Sequence, residues 1–499
     1  MKFIGLRLDD HDSSITYTNG TKVNYYKPER ENQIKHFGYS NLIDWASTSK
    51  RLNFKLDELD AVCIVLDSFA HPYLPKEKED KLFDIIDIPY SPFTELKCPV
   101  FRIDHHYAHS LSSWMLTNSK DNFTLDGLGD SNRGISIFKN NINKKNYTVD
   151  EINPLGHFLY NLAKTFEIKG HPEDIFGKVM ALQSFGKLDS TYWNIIKNYD
   201  YKDFNIVANF DNYFKTQGSL IASQLNLINY LKTIHHFVEN KIPDFFSQFV
   251  ESDTEFSYTG GVAHNICVNT SLKKRFPNMI IPPHCSDEGL TLGCVEFLRR
   301  HFEQPFFSKD NFPFWQSDQA PEDTPSDKII NSIAEELAKG KIVGWYQGNG
   351  EIGPRALGNR SILMSPEVTN GKHILNEKIK HREDYRPFAA SIKKEETKNY
   401  FDWNHDSEFM KYSVKFKDKV FAPISHIDQT SRIQTVDSKH VYFYKLLDKF
   451  QSKTGIPMLL NTSLNDNGKP IAGKPKDAID LFTNSNLDIL VIGNNMIRK

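Results

Sequence analysis

The sequence predicts an α/β protein of two domains, and three observations carry that prediction. Short apolar runs, Ala61–Leu66, Asp121–Leu125 and Ile135–Phe138, alternate with Glu-, Lys- and Asp-rich stretches of amphipathic spacing. Such alternation builds sheets covered by helices. One stretch, 303–328, carries Pro305, Pro313, Pro321 and Pro325 among Asp, Ser and Gln with little periodicity, and marks an interdomain linker. The 499 residues also exceed one hydrophobic core, which stops growing near about 250–300 residues. We therefore divide the chain into 1–302, the linker 303–328, and 329–499. No internal repeat is visible along it.

The elements follow in order. Phe3–Leu8 reads as a strand, Asp9–Ser13 as a polar turn and Ser14–Thr18 as a second strand; Asn19-Gly20 suits a type I′ turn into Thr21–Tyr26. The polar turn carries Asp9, Asp10, His11 and Asp12, more ionisable groups than a turn needs. In Asp104-His105-His106-Tyr107-Ala108-His109 an Asp104 cap would start a helix. The i, i+4 spacing then puts His105 and His109 on one face, able to chelate one ion; the plainer reading is two ordinary helical histidines. Carboxylates recur in glycine-rich turns, Asp126 before Gly127 and Asp287 before Gly289. Two His and two Asp suit Fe or Zn better than Mg.

Thr259-Gly260-Gly261-Val262-Ala263-His264-Asn265 follows strand-like residues and precedes a helix. Paired glycines let backbone N–H groups approach a phosphate at the helix N-terminus, although a tight strand-to-helix turn reads the same way. Lys178 in Gly177–Leu182 could reach the same nucleotide or lie on a solvated face. Beyond the linker, Ile329–Lys339 reads as a helix and Ile342–Tyr346 as a strand entering a glycine-rich loop. Gly353-Pro354-Arg355-Ala356-Leu357-Gly358-Asn359-Arg360-Ser361 then opens a series continued by Lys380, Arg382, Arg386, Arg432 and Asn461-Thr462-Ser463. Guanidinium forks match phosphate and carboxylate oxygens, so the series predicts a pocket for a small phosphoryl compound rather than a solvated basic face.

Composition excludes other classes. Hydrophobic residues make up 39% and aromatics 13%, ample for folding, and Lys+Arg 61 against Asp+Glu 63 leaves a net charge of −2. No global charge advertises a polyanion, although a local channel would escape that sum. The first ten residues meet charges too early for a signal peptide, and no apolar run reaches the roughly 18 residues of a membrane span. Cys63, Cys98, Cys267, Cys285 and Cys294 form no CxxC pair, which argues against zinc ribbons and a disulfide framework. The cytoplasm is the expected setting, with no membrane partner.

Taken together, His11-Asp12-Ser13-Ser14, Glu29-Arg30, Lys35-His36, the HHxxH run, Asp126-Gly127, Gly177–Leu182, the TGGVAHN segment, Asp287-Glu288-Gly289, Gly353–Leu363, Arg386–Ala389 and Leu460–Leu464 resemble the O-carbamoyltransferases of the nodulation-factor, cephalosporin and tobramycin type. The resemblance implies an actin-like (ASKHA, Kae1-like) carbamoyl-transfer domain over 1–302. It implies a YrdC-like domain over 329–499 that makes carbamoyl adenylate from carbamoyl phosphate and ATP, with Mg2+ accompanying the ATP. His105, His109, Asp126 and Asp287 would hold Fe(II) or another divalent transition metal. His11 and Asp12 would act at transfer to a hydroxyl, and Gly129, Lys178, Gly260, Gly261 and Asn265 would bind nucleotide. Arg355, Arg360, Ser361, Lys380, Arg386, Arg432, Asn461 and Ser463 would bind carbamoyl phosphate and the adenylate. The acceptor would be a small metabolite or sugar, or a 5-hydroxymethyl pyrimidine in a nucleotide or DNA; a homodimer is entertained. Arg7, Asp9, Ala181 and His264 depart from the family pattern. The physical reading agrees: two polyanions need fixed positive charges, transfer needs a polarised carbonyl and a proton acceptor such as His11, and a labile adenylate favours a closed passage. Two alternatives stay open, an actin-like ATPase or kinase and a threonylcarbamoyl-tRNA component.

Overall fold

The computed structural model describes residues 1–9, 11–39, 44–66, 81–152, 154–208 and 224–499, so Asp10 of the polar turn lies outside the described residues. Strands β1 (Lys2–Arg7), β2 (Ser14–Asn19), β3 (Lys22–Tyr26), β4 (Ala61–Val65), β5 (Phe83–Ile85) and β6 (Val100–Ile103) form one sheet in the order β3-β2-β1-β4-β6-β5. The first hairpin is as the alternation predicts, with Lys2 opposite Asn19 and Arg7 opposite Ser14. The next turn closes one residue later than expected. Asn19 pairs with Lys22, leaving Gly20-Thr21 as the loop, with Gly20 at φ +62°.

Strands β7 (Asn122–Leu125), β8 (Arg133–Lys139), β9 (Ile142–Thr148), β10 (Phe256–Thr259) and β11 (Met279–Ile280) form a second sheet in the order β11-β10-β7-β8-β9. Its plan repeats the first: an antiparallel three-strand meander, then two strands added in parallel beside the first of the three. The chain therefore does contain a repeat, contrary to the sequence expectation. It is a repeat of topology, because a strand needs apolar residues at its buried positions rather than particular ones. This duplicated plan is that of actin-like folds. The helix Leu290–His301 packs on the first sheet so closely that a Cβ on Gly5 would stand 2.4 Å from the Thr291 carbonyl oxygen.

Strands β12 (Val343–Tyr346), β13 (Arg360–Met364), β14 (Ala389–Lys393), β15 (Ser413–Lys415), β16 (Thr430–Val436), β17 (Met458–Ser463), β18 (Ile489–Ile492) and β19 (Asn495–Arg498) form a mixed third sheet, β15-β16-β14-β17-β13-β12-β18-β19. The predicted helix and strand after the proline-rich stretch are Asp327–Ala338 and β12.

The proline-rich stretch is a packed strap. Phe307 and Trp315 are buried, and Gln316, 1% exposed, bridges Tyr25 of β3 to Gly350 beside the third sheet. Asp318 continues the seam, accepting from Gly350 N at 3.0 Å and pairing with Arg360 at 3.0 Å. Isolated aromatic anchors and backbone pairing leave no periodicity, which explains its linker-like sequence. All five cysteines are free. Among the described residues no helix is long and apolar enough to cross a membrane.

Candidate functional site

Asp104 caps the helix His105–Leu111, its Oδ1 accepting from Tyr107 N at 2.8 Å. The cap sets His105 and His109 on the face that meets the end of β7, where Asp126 follows, and the turn before Leu290, which carries Asp287. The four side chains converge with ligand atoms all within 4.8 Å of one another. His109 Nε2 lies 2.8 Å from Asp126 Oδ2 and 3.3 Å from Asp287 Oδ1; His105 Nε2 lies 3.4 Å from each of the same oxygens. Each carboxylate is split between two tasks. Asp126 Oδ1 accepts from Gly127 N at 2.7 Å and Gly261 N at 3.1 Å, and Asp287 Oδ2 pairs with Arg7 at 2.8 Å. One oxygen of each acid is thereby fixed and the other aimed at the imidazoles, as outer partners orient metal ligands. This donor set fits a divalent transition ion. Arg7, a departure from the family pattern, thus orients a cluster member.

Beside this cluster the first hairpin presents His11 and Asp12. Lys27, just after β3, places Nζ 2.9 Å from Asp12 Oδ1, 3.3 Å from Glu29 and 3.1 Å from Glu288. Asp12, Glu29 and His36 are also close enough together to surround an ion, but the Lys27 ammonium already supplies that positive charge. His36 Nδ1 reaches Asp12 at 3.0 Å, its ring stacks on His171 at 4.4 Å, and its Nε2 faces Asp174 at 3.4 Å. Burial alone would lower the His11 pKa, but the Asp12 hydrogen bond and the Asp287 charge raise it to about 9. Its two carboxylate neighbours thus favour the charged ring. Asp12 is held well below the carboxylate range: burial opposes ionisation, and Lys27, His11 and His36 overcome it.

Gly260 sits at φ +94°, and a Cβ there would stand 2.1 Å from the Leu125 carbonyl oxygen. Asn265 caps the helix Ile266–Arg275 and keeps a buried, unpartnered Nδ2. Gly129 lies against His106, and Lys178 bonds Lys169 O at 2.8 Å and Glu383 at 2.7 Å. The expected nucleotide residues thus fall into a turn that serves Asp126, a helix cap, a contact with His106 and a tie to the third sheet's loops.

Arg432 of β16 and, from loops of the third sheet, Arg355, Lys380, Arg382 and Arg386 lie near enough to act on one another's charge. Among the described residues neither Arg355 nor Arg432 has a carboxylate within ion-pair distance, and Arg432 Nε is buried without a partner. Burial and the neighbouring guanidiniums push Arg382 down to about 9 and Arg432 well below the arginine range. Burial, Arg382 and Arg386 likewise lower Lys380, whose ammonium is gripped by Ser463 O at 2.8 Å and Asn465 Oδ1 at 2.6 Å. Ser361 Oγ and Asn461 Oδ1 are buried and unpartnered. Burial also lowers Arg355, with Cys285 and Glu288 opposing and Arg386 assisting; it stands between the basic group and the Asp287 loop. Arg360 stands apart. Fully buried, it is spent on Asp318, on Gln347 O at 2.5 Å and Gly348 O at 2.9 Å, and on the Tyr346 ring. Its role is to hold the loop that carries Arg355. Sequence reasoning gave no site role to Arg7, Lys27, His36, Glu288 or Lys411; the Glu29-Arg30, Lys35-His36 and Asp287-Glu288-Gly289 segments and the notice taken of Arg7 were the hints.

Residues 91–295 match the family described as Carbamoyltransferase N-terminus, and 334–499 the one described as Carbamoyltransferase C-terminus. The nodulation protein NolO of Bradyrhizobium diazoefficiens is 35% identical over 49% of the chain, a match spanning half of NolO's length. The nodulation protein NolNO of Sinorhizobium fredii is 26% identical over 98% of the chain and 79% of its own length. A 3'-hydroxymethylcephem-O-carbamoyltransferase of Streptomyces clavuligerus is 27% identical over 68% of the chain and 69% of its own length. With both of its halves matched, in order, by the two halves of one family, the chain belongs to the carbamoyltransferases.

Proposed function

We propose that the protein is an ATP-dependent O-carbamoyltransferase with two linked centres, adenylate formation in 329–499 and transfer in 1–302. The observation that carries this reading is the basic group Arg355, Arg382, Arg386, Arg432 and Lys380: burial, with the neighbouring guanidiniums adding to it, lowers Arg355, Arg382, Arg432 and Lys380, and among the described residues Arg386 alone of the five pairs with a carboxylate, Glu383 at 3.8 Å. Such a group is costly unless polyanions occupy it. Carbamoyl phosphate and the triphosphate of Mg2+-bound ATP are suited to it. There the guanidiniums offset the repulsion between the two anions while water takes the phosphoryl group of carbamoyl phosphate as inorganic phosphate, and the carbamate oxygen so freed attacks the α-phosphorus as pyrophosphate departs. Ser361, Asn461 and Ser463 orient the carbamoyl end.

In the transfer centre Asp12 stays ionised and holds His11; as the acceptor oxygen bonds to the carbamoyl carbon, the bond from that carbon to the phosphate oxygen breaks, and the hydroxyl's proton passes through the His11 ring to the departing AMP. Lys27 fixes Asp12 against Glu288, so the ring keeps one orientation. A divalent ion held by His105, His109, Asp126 and Asp287 would supply Lewis acidity toward the carbamoyl oxygen. Gly260, Gly261, Asn265 and Lys178 line the nucleotide's side of that centre. The cephem relative's name, with a hydroxymethyl acceptor, supports a small hydroxylated acceptor, and a 5-hydroxymethyl pyrimidine offers the same group. Purified protein with ATP, Mg2+ and carbamoyl phosphate should release pyrophosphate only when both substrates are present, and a panel of both acceptor types should gain a carbamoyl mass. ADP and orthophosphate formed from ATP without carbamoyl phosphate, with no pyrophosphate, would favour an actin-like ATPase instead.

A further inference from the structure

The Asp287 loop raises a question of support. Residues 283–288 deliver Asp287 to the His105/His109/Asp126 cluster and Glu288 to Lys27, yet the loop is irregular until Asp287. Lys411, 2% exposed, enters it from the C-terminal side, two residues before β15. Its ammonium donates to Pro283 O at 3.1 Å and Cys285 Sγ at 3.1 Å, and lies 3.3 Å from His264 Nδ1. His264 Nε2 in turn meets Ser286 Oγ at 3.0 Å. Asn269 Nδ2 anchors the Lys411 backbone through its carbonyl at 3.1 Å. Among the described residues Lys411 has no carboxylate within ion-pair distance. A side chain serving only to pack two surfaces together would be cheaper as Leu or Met, so the buried ammonium calls for another account. Its hydrogen-bond partners, Pro283 O, Cys285 Sγ and His264 Nδ1, all belong to the loop or to the turn beside it, and Arg355 adds a like charge nearby.

We infer that Lys411 is a positioning residue of the transfer centre, supplied by the C-terminal part of the chain to fix the 283–288 loop so that Asp287 and Glu288 reach their partners. The inference rests on the reading of that centre given above. His264 belongs to the same device, linking the ammonium to Ser286.

The test uses the full chain with Lys411→Met and Lys411→Arg. Co2+ affinity by equilibrium dialysis should weaken about 10–100-fold in Lys411→Met, the usual effect of losing an outer partner. Hydrogen exchange should accelerate in peptides covering 281–290, while peptides covering β12 and β13 keep the wild-type rate. Pyrophosphate release from ATP and carbamoyl phosphate should persist, and Lys411→Arg should recover part of the Co2+ affinity. Unchanged Co2+ affinity and loop exchange would overturn the inference. So would a uniform rise in exchange with loss of pyrophosphate release, since Lys411 would then merely pack. If Lys411→Met does not fold, Cys285→Ala removes one contact of the ammonium and should give a smaller change in the same two readouts; none would overturn it. If the wild-type protein releases no pyrophosphate, the proposed reaction fails, while dialysis and exchange still decide the role of Lys411.

Discussion

At the scale of single residues, the arginines of the third sheet carry the sharpest expectation. Arg386→Ala or Arg355→Ala removes a charge-assisted fork worth about 1.5–3 kcal/mol, so pyrophosphate release should fall roughly 10- to 150-fold, measured with saturating ATP. Arg360→Ala should instead lower thermal stability, because its guanidinium holds Asp318 and two carbonyls. His36 supplies a pH expectation. Burial lowers its pKa, but Asp12 and Asp174 raise it to about 9 from an ordinary 6.5. Its stabilisation is therefore complete below pH 6.5 and is lost as pH rises through about 9. Urea midpoints should fall across that window by an amount on the order of 1–3 kcal/mol, and less steeply in His36→Gln, with His11 supplying the remaining slope. An equal slope in the variant would contradict the assignment. The residues legible in sequence were those in local motifs: HxxxH, the glycine-flanked acids and the arginine loop. Lys27 was not, because its partner Glu288 lies 261 positions away and no pattern near Lys27 announces it. The bracing contacts of Arg360 were not legible, because an arginine inside a basic motif looks the same whether it faces ligand or braces the loop.

At the scale of elements, the turn after β10 decides whether Asp126 is held. Gly260→Ala would force a side chain into left-handed backbone and against the Leu125 carbonyl. We expect a loss of at least about 2–3 kcal/mol, read as a lowered melting midpoint, together with weaker Co2+ retention because Gly261 N no longer reaches Asp126. An unchanged midpoint would mean that the turn yields more readily than its contacts imply. The first hairpin and the helix at His105 were legible because their turn and cap residues act locally. The duplicated sheets were not, since topology is set by pairing between distant strands. The packing of the strap was not legible for a related reason: Trp315 and Gln316 act one at a time, and pairing with Tyr25 and Gly350 leaves no mark on composition.

At the scale of the whole molecule, the two centres should fail separately. His109→Ala removes a donor 2.8 Å from Asp126 without touching the arginines, so metal and carbamoyl transfer should be lost while ATP is still converted to AMP and pyrophosphate. Metal content and product masses on one preparation decide it, and loss of pyrophosphate release as well would show the centres to be interdependent. The Lys411 contact has a temporal side too. The four convergent residues are all in the chain once Asp287 has been added, whereas Lys411 follows roughly 120 residues later, about 6–25 s at ordinary elongation rates. During that interval the nascent chain displays the four side chains with nothing bracing the loop that bears the last of them. Ion capture during synthesis would therefore be provisional and exchangeable, and the ion that remains would be the one present when the C-terminal strands close over the loop.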